Sequence, residues 1–481
     1  MDRSKKRSIG SSQSPPPKKR PTFVSYREIP KLHPKIKLLC ELLANTPSVS
    51  VESTLDEAGV RVSTEDVEEV LKLSYNSPGP TVKFFTWAGR QLNDKLSPYA
   101  WNLVVDLLGK NSLFDAMWDA IKSMKKEGLV SLATFASVFI SYVGCDRVDE
   151  ALMAFDVMDQ YGLRRDVVAL NSLLSAICRE GKTGRAKAFF DIVKDRVMTD
   201  ADSYAILLEG WENEGDVRNA HNVFAEMVAL HGWDTSNVPA YDAFLCALLK
   251  GPNGVREAMS FFATMKEKRC YPGSKFLRCA LEEFVRLNLD REGDYLWEAL
   301  VESKRCNADT KMYNSMIELL CHSNNADRVN QLLDEMIVNG AFPDSGTYNA
   351  VLHLFLKLRK LRDASAIFRE MVKNEFVPSV SNCKTAIKVY LDVGEPEMAI
   401  RVWKCLVVSE SGVAALEDIA NLLIVELQEL NRLPEACKYA DEMIDRKIKL
   451  NSKTLSQLKH SLGKLGKMHV YDELLKKWKS R

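Results

Sequence analysis

No apolar run in this chain approaches the roughly 18 consecutive residues that a membrane-spanning helix needs, which points to a soluble protein with no membrane partner. Cysteine occurs 11 times but never as Cys-x-x-Cys, an odd count without framework spacing. That pattern suits reduced thiols packed among helices in a reducing compartment. The 7 histidines are scattered, and no His/Cys/Asp/Glu cluster has metal-ligand spacing. His-x-Glu followed by Cys-x-x-Cys is missing, which excludes a zinc deaminase. A phosphate-cradling glycine-rich loop and Gly-x-Ser-x-Gly are missing too. Nothing calls for a metal, a cofactor or an enzymatic activity.

Excess charge of either sign is also lacking: the net charge is +1. Residues 1–20 nevertheless hold Arg3, Lys5, Lys6, Arg7, Lys18, Lys19 and Arg20 against Asp2 alone, which leaves the remainder at about −5. Such a body cannot hold nucleic acid by bulk charge; it needs Lys and Arg gathered on one face.

What is present is a beat. Met124, Met158, Val193, Met227, Met265, Leu300, Met336, Met371, Leu406 and Met443 follow one another at intervals of 34 to 38 residues, each closing a phrase such as Ala151-x-x-x-Phe155-x-x-Met158. Self-similarity at a fixed period predicts a stacked array rather than one core, with function spread along an extended surface. Each unit shows two helical patterns. Val351, Leu352 and Phe355 give the stripe of the first, a break such as Glu180-Gly181-Lys182 follows, and the Ala…Met phrase forms the second. Turns such as Asn339-Gly340-Ala341-Phe342-Pro343-Asp344 end the unit and supply the next N-cap. The fixed Ala (Ala151, Ala186, Ala220, Ala258, Ala364, Ala399, Ala436) is expected to let paired helices approach, with the Met as packing between units.

The expected fold is all-α, an α-solenoid: a right-handed superhelix of stacked helix-turn-helix repeats. Its expected divisions are a disordered basic targeting segment over 1–22, degenerate capping helices over 23–97 broken by Pro78-Gly79-Pro80, an array of about ten repeats over 98–455, and C-terminal capping helices over 456–481.

Two repeat families have this length. A tetratricopeptide first helix wants a small residue where this chain has Phe139, Leu174, Leu208, Ile317, Leu352, Ile387 and Ile424. The opening phrases Arg165-Asp166-Val167-Val168-Ala169-Leu170-Asn171, Asp309-Thr310-Lys311-Met312-Tyr313-Asn314 and Pro343-Asp344-Ser345-Gly346-Thr347-Tyr348-Asn349 instead resemble the pentatricopeptide repeat family, and Lys83-Phe84-Phe85-Thr86-Trp87-Ala88 resembles the lead-in of its plant, pure 35-residue class. The resemblance covers about residues 63–470.

The resemblance implies single-stranded RNA as the partner, one base per unit. In that family the fifth residue of a unit bonds the base and the last adjusts that contact. Carried over, Asn171 with Asp200 and Asn314 with Asp344 imply uridine; Asn349 with Ser379 and Asn102 with Ser131 imply cytidine; Asn421 with Asn451 implies a pyrimidine. Val168, second in its unit, would stack on a base. Ala136, Ala205, Asp242, Arg278 and Lys384 at the fifth position depart from the pattern, and so do Asp202, Gly346 and Ser381 at the second. Lys275, Arg278, Lys311 and Lys384 are candidate phosphate contacts.

The expected function is therefore sequence-selective, pyrimidine-leaning RNA binding by a monomer in a plant organelle. It would act on RNA processing, stability or translation by occupancy, with RNA-processing proteins as further partners. The alternative is a helical scaffold holding a protein in the same groove, which the acidic body and the departing units favour. The family's habit implies the mitochondrion. Lys5-Lys6-Arg7 and Lys18-Lys19-Arg20 also suit a two-part nuclear signal, and the chloroplast is the other organelle.

Overall fold

The computed structural model describes residues 23–93, 95–408 and 413–479. The expected basic targeting segment over 1–22 lies outside them. Among the described residues every regular element is a helix. The chain divides into two compact bodies, Met1–His231 and Gly232–Arg481.

In the first body the first helices of successive units are Pro98–Lys110, Leu132–Gly144, Val167–Arg179 and Ala201–Glu214. They pack side by side in chain order, each followed by a second helix: Phe114–Lys126, Val148–Asp156, Thr183–Val193 and Val217–His231. The second body repeats this plan from Val238–Leu249 and Gly254–Glu267 through Ser452–Lys464 and Met468–Lys479. The stacking of helix pairs read from the beat is thus what each body shows.

The beat residues do the packing. Met124, Met158, Met227, Met265, Met336, Met371 and Met443 are all at most 1% exposed, and the fixed alanines from Ala151 to Ala436 are at 0%. A methyl group at the crossing lets two helix axes approach, and the flexible thioether fills what remains.

Helix ends are set by backbone handedness and by caps. Ser112, Asp146, Gly181, Gly215, Asn288, Asn324, Arg359, Gly394 and Asn431, each at the break between the two helices of a unit, have φ between 54° and 79°. A left-handed residue there turns the chain and frees the last carbonyls to be bonded. The last residue of a unit is the N-cap of the next first helix: Asp166, Asp200, Asp309, Asp344, Ser379 and Asn451 each accept the backbone N–H three residues on.

The N-terminal helices differ from expectation in one respect. Pro78-Gly79-Pro80 opens the helix Pro78–Gln91 instead of breaking one, because proline at the first helical position loses no hydrogen bond and has φ preset. The helix Thr64–Leu73 packs on Pro98–Lys110, and the Ser97 hydroxyl donates to Glu68 Oε1 at 2.6 Å. Residues 64–97 thereby share the register of the units that follow.

Candidate nucleic-acid interface

The fifth residue of a unit lies one helical turn into the first helix, so its side chain reaches the N-terminus of the next first helix. There it meets three things: the N-cap, the exposed backbone N–H groups of the first turn, and the third residue of that next helix. What bonds form depends on all of them.

At Asn171 the amide nitrogen donates to Asp200 Oδ1 at 3.3 Å, and the amide oxygen accepts the Ser203 hydroxyl at 2.7 Å. Asn314 repeats this: its nitrogen donates to Asp344 Oδ1 at 3.2 Å, and its oxygen accepts the Thr347 hydroxyl. Burial alone would raise both aspartates. The N–H of Ser203, the Asn171 amide and the Ser203 hydroxyl outweigh it at Asp200, and the corresponding groups of Thr347, Asn314 and Gly346 do so at Asp344, holding both carboxyls below their ordinary value. At Asn102 the oxygen again accepts a hydroxyl, from Thr134 at 2.7 Å, while Ser131 contacts Thr134 rather than the amide.

Asn349 and Asn421 are turned the other way. The Asn349 oxygen accepts the Ser379 backbone N–H at 2.7 Å, and its nitrogen donates to Ser345 O at 2.8 Å and Val377 O at 3.4 Å. The Asn421 oxygen accepts the Asn451 N–H at 2.9 Å, and its nitrogen donates to Glu417 O at 2.7 Å and Lys449 O at 3.1 Å. The side chains of Ser379 and Asn451 cap their helices and leave the preceding Asn to the backbone. Four of the five expected base-reading pairs are therefore bonded directly, in two distinct geometries, while Asn102 and Ser131 meet only through Thr134.

The departing units are occupied differently. Asp242 stands in for the side chain that Gly273 lacks, accepting the N–H of Gly273 at 2.7 Å and of Phe276 at 3.2 Å. Burial outweighs those bonds and the charge of Lys275, so its carboxyl is raised. Arg278 donates to Asp309, the last residue of its own unit, at 2.7 Å. Lys384 lies 3.8 Å from Asp418. Lys311 is exposed and has no ion pair among the described residues. Arg278 and Lys384 thus already face a carboxylate within 4 Å.

Val168 is 56% exposed on the first turn of its helix, an apolar side chain held in solvent. Tyr99, in the same second position of its unit, was missed in the sequence reading; it is 45% exposed, with the Lys72 ammonium 4.7 Å from its ring centre. A second missed set sits at the C-terminal ends of three successive first helices. Arg286, His322 and Lys357 line one open cavity of about 660 Å³ together with Asn288, Asp290 and Ser323. Their recurrence at the thirteenth place of each unit was a readable signal. Helix C-termini favour cations, so the placement also suits helix stability.

This plan, a helix pair per unit with a polar junction between successive first helices, defines a helical-repeat protein whose candidate contact residues repeat with the unit. Residues 99–129 and 168–196 match the PPR repeat, residues 308–353 the PPR repeat family and residues 331–395 the pentatricopeptide repeat domain. Over these stretches the chain is similar to the pentatricopeptide repeat family. It is 37% identical over 175 residues to one mitochondrial pentatricopeptide repeat-containing protein of Arabidopsis thaliana, covering 36% of this chain and 34% of the relative. A second from the same plant, also named as mitochondrial, is 27% identical over 326 residues, covering 67% of this chain and 55% of the relative. The chain thus spans about a third to a half of the length of these relatives. Among solved structures it is similar to the maize pentatricopeptide repeat protein PPR10 in complex with an 18-nt psaJ RNA element, at 17% identity and a TM-score of 0.46, covering 92% of this chain and 68% of that one.

Proposed function

We propose that this protein binds single-stranded RNA with one base against each unit at the N-terminal ends of the first helices, and that it favours pyrimidines. The observation that carries the reading is the pair of junctions Asn171–Asp200 and Asn314–Asp344, where an oriented amide keeps hydrogen-bonding capacity toward solvent at the same register in two units. An amide so held matches the edge of a pyrimidine, whose donors and acceptors lie side by side. Asn102 and Asn421 add further base contacts, whereas Asn349 spends both N–H groups and both oxygen lone pairs within the protein. Val168 and Tyr99 supply faces for bases to stack on.

Backbone binding follows from local charge. Arg286, His322 and Lys357 around one opening support this, although Asp290 lines it too and Arg286 is bridged to Glu283. Lys275, Arg278, Lys311 and Lys384 are the corresponding contacts on the first turn, with Arg278 and Lys384 exchanging a carboxylate for a phosphate.

We place the activity in the mitochondrion, with the names of both Arabidopsis relatives as support. There the protein acts by occupancy on RNA processing, stability or translation. The intervals of the beat support the pure 35-residue class.

The test is the affinity of the full chain for oligouridine, oligocytidine and a duplex of matched length at near-physiological salt. Single strands are expected to bind and the duplex not. Asn171→Ala with Asn314→Ala should weaken pyrimidine strands by on the order of tenfold or more, given about 1–3 kcal/mol for a good base contact. Unaltered affinity, or no binding of single strands, would sink the reading.

A further inference from the structure

In every unit whose fifth residue is Asn, the third residue of the following first helix is polar and buried. Thr134, Ser203, Thr347, Asn382 and Thr454 follow Asn102, Asn171, Asn314, Asn349 and Asn421, and all five are at most 3% exposed. Behind Glu68, Ala136, Asp242 and Arg278 the same place holds Ala100, Ala169, Phe276 and Met312. A polar group buried in the seam between two helices costs free energy unless bonded. Its presence only behind an Asn asks what it does for that Asn.

The bonds answer. Thr134, Ser203 and Thr347 donate their hydroxyl to the Asn oxygen and turn it inward, and at Asn171 and Asn314 the amide nitrogen then meets the last residue. Asn382 instead donates to Asn349 at both its side-chain oxygen, 3.1 Å, and its backbone oxygen, 2.8 Å. His353 Nδ1 lies 3.2 Å from the Asn382 oxygen and holds it in that sense. Asn349 is correspondingly turned, with its nitrogen spent on backbone carbonyls.

We infer that the buried third residue of each first helix is a positioning residue, whose bond to the preceding unit's Asn decides which hydrogen-bonding groups that Asn offers a base. This rests on the base-reading function proposed above. An amide has two N–H donors and two lone pairs on its oxygen. Asn171 and Asn314 each spend one N–H on an aspartate and one lone pair on a hydroxyl, so each still offers a donor beside an acceptor. That matches uracil, which presents a carbonyl beside N3–H. Asn349 spends both N–H groups on Ser345 and Val377 and both lone pairs on the Ser379 N–H and the Asn382 amide, so it leaves a base no unspent group.

Thr454 is the internal control. Its hydroxyl is fully buried and has no hydrogen-bond partner among the described residues, while Asn421 is turned to backbone carbonyls. A hydroxyl that makes no bond positions nothing.

The experiment uses the full chain with Ser203→Ala, Thr347→Val, their combination, the rescue Ser203→Thr, and Thr454→Val. The first readout needs no RNA: the side-chain amide ¹H–¹⁵N signals of Asn171 and Asn314, identified by their loss in Asn171→Ala and Asn314→Ala. Ser203→Ala should move or broaden the Asn171 pair and leave the Asn314 pair in place, Ser203→Thr should restore it, and Thr454→Val should move neither. The second readout is the ratio of Kd values for oligocytidine and oligouridine, which the combined variant should bring toward one by on the order of tenfold.

Unmoved amide signals in Ser203→Ala and Thr347→Val overturn the proposal whatever RNA does. So does an unchanged ratio in the combined variant when the parent chain discriminates, or a shift in Thr454→Val as large as that in Ser203→Ala. If the amides move but the parent chain itself does not discriminate between the strands, the positioning of the amide stands and the base-reading function is what fails. Thermal melts of each variant separate a moved amide from a lost fold.

Discussion

Asp242 caps a helix that belongs to the next unit: its Oδ1 accepts the backbone N–H groups of Gly273 and Phe276 at 2.7 and 3.2 Å, although 31 and 34 residues of chain separate them. The helix Ser274–Leu287 has no side-chain cap of its own, and a Cβ on Gly273 would meet Asp242 Oδ2 at 2.9 Å and Val238 Cγ1 at 2.8 Å. Fifth residue and N-cap have changed places here.

That exchange predicts a compensating pair. Asp242→Ala should lower stability by about 1–2 kcal/mol through the lost cap, and Gly273→Asp alone should destabilise by crowding Asp242. Together the two should cost less than the sum of the single changes, since the carboxylate introduced by Gly273→Asp would restore a local cap in the space Asp242 leaves. Urea unfolding of the four proteins gives the coupling directly.

Acid should act through Asp200 and Asp344 in the opposite sense to Asp242. Their folded values lie below the ordinary carboxylate value of about 3.9, so the stability they contribute is complete above it and is lost as pH falls through it toward their depressed values. Asp242 has a raised folded value, so its ionisation disfavours the fold, and protonation as pH falls through that raised value relieves the cost. Asp200→Asn with Asp344→Asn should flatten the loss of melting temperature between pH 5 and pH 3, and Asp242→Asn should steepen it. A set of melts across that range checks both signs.

The proposed stacking and phosphate contacts predict different salt behaviour. Tyr99→Ala should weaken single-strand RNA binding by about 1–3 kcal/mol with little change in salt slope. Arg286→Gln with Lys357→Gln should reduce that slope by about 1.4, from roughly 0.7 per neutralised phosphate on a single strand. Titrations at three salt concentrations distinguish them, and all three side chains are exposed enough that melting should barely move.

The period Met124 to Met443 placed the helix pairs correctly because burial of a Met every 35 or so residues is a property of position along the chain, and so is the register of the fifth and last residues. What period could not convey was direction. Asn314 and Asn349 have the same residue type and register, yet the Asn314 nitrogen meets the Asp344 carboxylate and the Asn349 nitrogen meets backbone carbonyls. Arg278 reads as a free cation until Asp309 is seen 2.7 Å away. Pro78-Gly79-Pro80 reads as a break, yet a helix start accommodates proline as readily as a break does. The co-occurrence of a fifth Asn with a polar residue 32 or 33 places on was present in the sequence all along. It escaped notice because it links two units, while a repeat is usually compared with itself.

Since Asp200 both starts the helix Ala201–Glu214 and holds the Asn171 amide, under the proposed base reading a single side chain answers to folding and to selection of the target at once. Drift at such a position is confined to residues that can do both, which leaves Asp, Asn and Ser. The vocabulary open to this chain for acquiring a new target is therefore small, and a change of specificity would come more readily from the fifth or the third residue than from the one between them.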